Sequence, residues 1–111
     1  MRIYVSTPVN ARRESTFEKK RLAAYYRAET LRAYLQEEYP DADVVTPFDN
    51  LPLKREFDEP TATGVCIKAV LECDTILLDR GWTASKGCNL EYRAAKLYGK
   101  RIIDGNGQIP E

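Results

Sequence analysis

Short apolar runs alternate with longer segments of helical periodicity along the chain. The runs cover residues 2–6, 43–48, 74–78 and 101–103, and most of their residues are β-branched or aromatic. That composition is typical of strands. The run at 74–78 is almost unbroken, as in a strand that is buried on both faces of a parallel sheet. We therefore predict four short strands.

Residues 17–38 have the pattern of an amphipathic helix. Their apolar positions recur at i, i+4, i+7 and i+11, which places Ala24, Ala28, Leu31 and Leu35 on one face. Ser15 or Thr16 can cap the start of this helix. Pro40 ends it, because the residue before a proline avoids helical geometry.

Two further helices are expected in the second half of the chain. One is capped by Thr61 or Thr63 and directs Val65 and Ala69 toward the sheet. The other runs over residues 85–98 and ends at a glycine. Its predicted buried stripe consists of Leu90, Ala94 and Leu97.

Two segments lack a periodic pattern. Residues 51–60 contain two prolines and several charges, and they form either a lid or a plain connection. Residues 104–111 contain two glycines and one proline, and we expect a frayed tail there. No repeat or boundary divides the chain, so residues 1–111 are predicted to form a single domain.

The order of these elements predicts an α/β fold: a doubly wound, flavodoxin-like (Rossmann-like) three-layer sandwich with a four- to five-stranded parallel sheet. In that fold the first and third strands flank the topological switch point, where ligands bind beyond the carboxyl ends of the strands. Five residues follow or end predicted strands at this edge and are candidate ligand contacts: Ser6, Thr7, Asp49, Asp79 and Trp82.

Charge and hydropathy narrow the class of partner. The chain has 17 basic and 17 acidic residues, so it offers no net basic field for polymeric nucleic acid. Its apolar runs are far shorter than the ~20 residues of a membrane span. We expect a soluble cytoplasmic protein that binds a small molecule.

The chain contains three cysteines and no histidine. Without histidine, Ser-His-Asp and Cys-His catalysis and histidine-ligated metals are excluded. The cysteines lack a C-x-x-C spacing and are expected to be reduced, buried thiols. Carboxylates, tyrosine, lysine and cysteine remain as the reactive groups, and no metal or cofactor is expected.

Glu91 lies near the start of the third predicted helix, close to Ser85 and Gly87. A carboxylate in a partly dry crevice can attack an anomeric carbon or stabilise an oxocarbenium ion. The plain alternative is a glutamate on a helix surface. Arg12 and Arg13 follow the first strand, and their loop either folds over an anion such as phosphate or carries solvated charges.

Two stretches of the chain carry a family resemblance. The start I-Y-V-S and the later pattern C-D-x-I-L-L-x-x-G-W-x-x-S-x-G-x-x-x-E-x-x-x-A-x-x-x-G-K resemble the nucleoside 2-deoxyribosyltransferase-like superfamily, and in particular its small bacterial and phage members of the DUF4406 type. The 2'-deoxynucleoside 5'-monophosphate N-hydrolases are more distant relatives. The match covers the first strand and roughly the last forty residues.

The resemblance implies roles for individual residues. Glu91 falls on the nucleophile that forms a covalent 2-deoxyribosyl intermediate at C1', and Tyr4 on the tyrosine that orients it. Ser85 falls on a position that contacts the 5'-phosphate in the hydrolases, and Gly87 on the glycine of the same loop. No cofactor is implied. Relatives pair through helices, so a homodimer or larger homo-oligomer is expected, with the tyrosine-rich first helix as a candidate surface.

Two departures from the family pattern concern Cys66 and Thr7. Cys66 stands where the family usually carries an aspartate that assists the leaving base, and Thr7 where a glycine is common. A thiol is a poor general acid for a purine or pyrimidine nitrogen near neutral pH. Asp49 or Asp79 could replace it, and Trp82 could stack on a base or pack a loop.

Three hypotheses follow. In the first, the chain is an N-glycosyl-cleaving enzyme of the deoxyribosyltransferase or nucleotide N-hydrolase type. In the second, it is a catalytically impaired module that binds a nucleotide or metabolite. In the third, it is an interaction protein in which Glu91 and Ser85 only cap and solvate a helix.

Overall fold

The computed structural model describes residues 1–108, which form a sheet with helices on both faces. The strands are β1 (Arg2–Ser6), β2 (Asp43–Val45), β3 (Thr75–Leu78) and β4 (Arg101–Asp104), and the helices are α1 (Phe17–Glu38), α2 (Glu59–Leu71), α3 (Lys86–Leu97) and α4 (Gly105–Gln108). Within residues 1–108 no helix combines the length and hydropathy needed to cross a membrane.

The sheet has four strands in the order β2-β1-β3-β4, and every neighbouring pair is parallel. The chain moves outward from β1 to β2 and then crosses to β3 on the other side of β1. The predicted flavodoxin-like, three-layer α/β fold is therefore confirmed, with the switch point between β1 and β3.

The layer formed by α1 packs on one face of the sheet. Its buried positions are Ala24, Ala28, Leu31 and Leu35, as the sequence predicted. Ala28, Leu31 and Leu35 belong to one apolar cluster with Ile3 and Val5 of β1. Thr16 is the N-cap, since its side chain accepts a hydrogen bond from the Lys19 N–H.

The helices α2 and α3 cover the opposite face. Because side chains alternate along a strand, Tyr4 points to this face and packs with Val70 and Ala95. The helix α2 begins earlier than predicted: Asp58 caps it, and Pro60 occupies its first turn, where a missing N–H costs nothing.

The predicted buried stripe of α3 was wrong for Leu90 and Leu97, whereas Ala94 is partly buried against the core. Leu90 is 42% exposed and Leu97 81% exposed, whereas Cys88, Glu91 and Ala95 are buried. Small side chains and one hydrogen-bonded carboxylate face the sheet, while Leu90 lines the large cavity on this side of the molecule and Leu97 lies at the surface. Gly99, with φ of 69°, ends the helix as predicted.

The end of β2 and the start of the C-terminal segment differ from the sequence prediction. β2 stops at Val45, because Thr46 and Asp49 form a capping box around a single 3-10 turn that begins with Pro47. In the predicted tail, Asp104 belongs to β4 and residues 105–108 form a short helix. Residues 109–111 of that tail lie outside the described residues.

Candidate functional site

The centre of the site is the carboxylate of Glu91, held between two hydroxyl groups of β1. The Tyr4 hydroxyl donates to Oε2 over 2.5 Å, and the Ser6 hydroxyl donates to Oε1 over 2.7 Å. Ser85 caps α3 by accepting a hydrogen bond from the Cys88 N–H, which fixes the first turn of the helix that carries Glu91. Both carboxylate oxygens are thus oriented by the fold.

Glu91 titrates far from its ordinary range because it is buried. Desolvation raises the pKa of its carboxyl from 4.5 to about 7, and the hydrogen bonds from Tyr4 and Ser6 limit that rise. Burial and the neighbouring Glu91 raise the pKa of Tyr4 well above 10.0, so the phenol remains a donor. A group that changes charge near neutral pH is common at functional sites.

A cavity of about 670 Å³ opens onto Glu91. Near the carboxylate its wall includes Thr7, Cys66, Ser85 and Gly87. A Cβ added at Gly87 would meet no protein atom within 4 Å, so the cavity is open at this position. The volume suits a small organic molecule.

The rest of the cavity wall is strongly aromatic. All three phenylalanines of the chain line it: Phe17, Phe48 and Phe57. Aromatic faces of this kind stack on planar rings. The cavity can therefore bind a flat, uncharged group and presents a carboxylate to it.

The segment 51–57 forms part of this wall through Leu51 and Phe57. Arg21 of α1 anchors the segment, since its guanidinium donates to the carbonyl oxygens of Leu51, Pro52 and Arg55 over 2.8 to 3.1 Å. The segment that was predicted as a lid or a connection is thus held to α1 as a wall of the cavity.

Cys66 lies on α2 at the edge of the same cavity. Burial, reinforced by the negative charge of Glu91, raises the pKa of its thiol to about 12. The thiol is protonated and unreactive at neutral pH. It is also a weak acid, so it cannot readily supply a proton to a leaving group.

Asp79 belongs to a different cluster, on the α1 side of the sheet. Its oxygens accept hydrogen bonds from the Thr7 hydroxyl over 2.7 Å and from the Arg27 guanidinium over 2.9 to 3.2 Å. Thr7 and Asp79 do meet across β1 and β3, as expected. Asp79 itself is 2% exposed and faces away from the Glu91 cavity.

Only some of the predicted site residues lie close together in the structure. Glu91, Tyr4 and Ser6 are in direct contact, and three predicted residues line the cavity beside them, namely Thr7, Ser85 and Gly87. Asp79, Arg12 and Arg13 instead line a second cavity.

Trp82 and Asp49 lie elsewhere. Trp82 donates to the Asp104 carboxylate over 3.1 Å, and its ring packs at a tilt of 39° against Tyr92, so it packs a loop and does not line the cavity. Asp49 accepts a 2.6 Å hydrogen bond from Arg32 and closes the capping box after β2. Neither Asp49 nor Asp79 can replace Cys66 as a proton donor in this arrangement.

Sequence reasoning missed Arg21, Arg27 and the three phenylalanines. A crossover helix returns antiparallel to the strands, so the first half of α1 lies near their carboxyl ends. That geometry marks Arg21 and Arg27 as candidates. The phenylalanines come from separate loops and helices, and no local spacing relates them. Within residues 1–108 no cluster of three or more His, Cys, Asp or Glu side chains could hold a metal ion.

The fold and the site together define a small parallel α/β domain with a buried carboxylate at its switch point. The chain belongs to the DUF4406 family, described as a domain of unknown function, whose model matches residues 1–104. A search of curated proteins finds no match.

Proposed function

We propose that the chain cleaves the N-glycosidic bond of a nucleoside or nucleotide, with Glu91 as the nucleophile at C1'. The observation that carries this proposal is the orientation of a buried carboxylate by the hydroxyls of Tyr4 and Ser6 at the wall of a cavity large enough for a nucleoside. The resemblance to the deoxyribosyltransferase-like superfamily supports the same role.

The reaction would proceed in two displacements. An oxygen of the ionised Glu91 attacks C1', the bond from C1' to the base nitrogen breaks, and its electron pair leaves with the base, which takes up a proton. Water or a second base then attacks C1' and releases the Glu91 carboxylate. Water gives the free sugar, and a second base gives an exchanged nucleoside.

The cavity suits the two halves of such a substrate. The phenylalanine side chains in its wall offer rings on which the planar base would stack. Thr7 and Ser85 are polar residues of the same wall, beside which a sugar or its phosphate would bind.

The direct test is incubation of the purified protein with a panel of ribo- and deoxynucleosides and their 5'-monophosphates, with and without an acceptor base. Chromatography then detects free or exchanged base. Glu91→Gln should abolish release while keeping the volume of the side chain. Glu72→Gln is the matched control, because Glu72 is exposed at the end of α2 and outside the cavity.

A second candidate function rests on Cys66. With a thiol whose pKa is about 12 at the cavity edge, the departing base has a poor proton donor nearby. The chain would then bind a nucleotide or related metabolite without cleaving it. Tight binding of a nucleotide that is recovered intact after long incubation favours this function, and free base excludes it.

The resemblance also implies a homodimer or larger homo-oligomer. On α1, which was predicted as a candidate surface, Tyr26 is 63% exposed. Sedimentation equilibrium of the purified chain would test self-association, and Tyr26→Ser would test the part played by this surface.

A further inference from the structure

A second cavity of about 560 Å³ lies between α1 and the carboxyl ends of β1 and β3. Its charged lining consists of four arginines and two acidic residues: Arg12, Arg13, Arg27, Arg80, Glu14 and Asp79. The chain as a whole carries no net charge. The cavity is therefore a local concentration of positive charge that the overall composition does not explain.

The carboxylate of Asp79 is already engaged by protein groups and is scarcely exposed to a ligand in the cavity. Its carboxylate is 3% exposed and is already occupied by Arg27, Thr7 and the backbone N–H of Arg80. Two short hydrogen bonds from one guanidinium make a directional, charge-assisted pair. Asp79 and Arg27 together thus form a rigid wall of the cavity.

Arg12 is held in place at the rim. Its Nε donates to the Pro8 carbonyl over 2.8 Å, and its Nη2 donates to the Thr7 hydroxyl over 3.0 Å. Its Nη2 is also 3.9 Å from an oxygen of Asp79. A guanidinium fixed in this way loses little conformational entropy when it binds an anion.

Arg13, the next residue, makes no hydrogen bond or ion pair within residues 1–108, and it is exposed. Its neighbour Glu14 carries the second negative charge of the lining, and the Oε2 atom of Glu14 is buried without a hydrogen-bond partner. Four arginines against two carboxylates still leave the lining with a net charge of +2. Arginine is suited to phosphate because its planar fork matches two phosphate oxygens.

This cavity adjoins the one that contains Glu91. Ala11 and Ala84 line both cavities. Thr7 lines the Glu91 cavity, and its hydroxyl contacts Arg12 and Asp79 of the other. The wall between them is thus built from small side chains.

We propose that the arginine-lined cavity is a phosphate-binding site. The phosphate comes either from the free ion or from a phosphorylated small molecule that also enters the Glu91 cavity. The site goes beyond the proposed glycosidic chemistry and does not depend on it, because its test measures binding and not turnover.

The experiment is calorimetric titration with inorganic phosphate over the millimolar range, with chloride replacing phosphate at constant ionic strength. Wild type should bind, and Arg13→Ala should weaken binding roughly tenfold to a hundredfold, as expected for loss of a charge-assisted contact. Arg13→Glu should weaken it further. Since Arg13 is exposed and makes no hydrogen bond or ion pair within residues 1–108, both variants should fold.

Arg93→Ala is the matched control, because Arg93 is exposed on α3 and outside the cavity. It should bind phosphate as wild type does. No binding to wild type, or equal affinity for wild type and Arg13→Glu, would overturn the proposal. A second arm titrates Glu91→Gln, which cannot turn over, with a nucleoside and its 5'-monophosphate.

In that arm, one result is that the 5'-monophosphate binds more tightly than the nucleoside and that Arg13→Ala abolishes this difference in affinity. This result would assign the phosphate to a ligand that spans both cavities. Equal binding of the two, with inorganic phosphate still sensitive to Arg13, assigns the site to the free ion. Both results support a phosphate site.

Discussion

The Tyr4 hydroxyl donates to Oε2 of Glu91 over 2.5 Å, although the two residues are separated by 87 positions in the chain. Together with Ser6 it supplies both carboxylate oxygens with donors. Burial opposes the charge of this carboxylate while the two donors favour it, and the balance leaves the pKa of Glu91 at about 7.

Tyr4→Phe should raise the pKa of Glu91 further, because it removes one of the two hydrogen bonds that lower it. A hydrogen bond to a charged group contributes about 1.5–3 kcal/mol, which corresponds to roughly one to two pH units. Infrared or carbon NMR titration of the carboxyl measures this shift without substrate.

The same variant should lower the rate of base release near neutral pH and move the rising limb of the pH profile upward, since only the ionised carboxylate attacks. Tyr98→Phe is the control, because Tyr98 is 64% exposed at the end of α3. An unchanged pKa of Glu91 in Tyr4→Phe would contradict the assigned contact.

Stability should fall as the pH rises from about 4.5 to about 7. Burial raises the pKa of Glu91 in the folded state above its ordinary 4.5, so between these values the folded chain binds more protons than the unfolded chain. The full effect, from 4.5 to about 7, is about 3 kcal/mol.

Urea unfolding across this range measures the effect, and Glu91→Gln isolates it because an amide does not titrate. The difference in free energy of unfolding between wild type and variant should change between pH 4.5 and about 7 and stay constant above that range. A difference that is independent of pH would show that Glu91 is not buried as described.

Arg27→Ala should lower the free energy of unfolding by about 3 kcal/mol. This is the low end of the cost of removing one partner from a buried ion pair, and it applies because the Arg27 side chain is 22% exposed. Asp79 would be left buried with its charge uncompensated by α1. Adding Asp79→Asn to Arg27→Ala should restore part of the loss. Denaturant unfolding measures both, and a loss no larger than that of Arg93→Ala would contradict the structural role of the pair.

Cys66→Asp should accelerate base release. The new carboxyl would lie beside Glu91, where burial and the like charge raise its pKa and keep it able to donate a proton near neutral pH. Cys66→Ala is the control and should release base at the wild-type rate. If the aspartate variant is no faster than the alanine variant, proton donation from this position does not limit the reaction.

The fold followed from local patterns that tertiary structure did not override. The apolar run of β3 and the spacing of Ala24, Ala28, Leu31 and Leu35 identified a parallel sheet and its crossover helix, and the strand order followed. The buried face of α3 was predicted wrongly because the periodicity of its sequence is compatible with two different faces. Hydropathy selected the face with Leu90 and Leu97, whereas the buried face carries Glu91, whose partners come from β1.

Ser6 was predictable from its position at the end of β1, whereas Tyr4, in the middle of that strand, was identified by the family resemblance alone. Tyr4, Ser6 and Glu91 meet because β1 and α3 converge at the switch point. The placement of Trp82 was not predictable, since its partners Asp104 and Tyr92 become neighbours only through tertiary packing. The same is true of Asp79, whose partner Arg27 lies 52 positions earlier on α1.

The central claim is that Glu91 attacks C1' of a nucleoside or nucleotide. It is tested most directly by base release from the nucleoside and 5'-monophosphate panel, comparing wild type, Glu91→Gln and Glu72→Gln. The account predicts release by wild type and Glu72→Gln and none by Glu91→Gln. Release that persists in Glu91→Gln, or no release by folded wild type from any member of the panel, would contradict it.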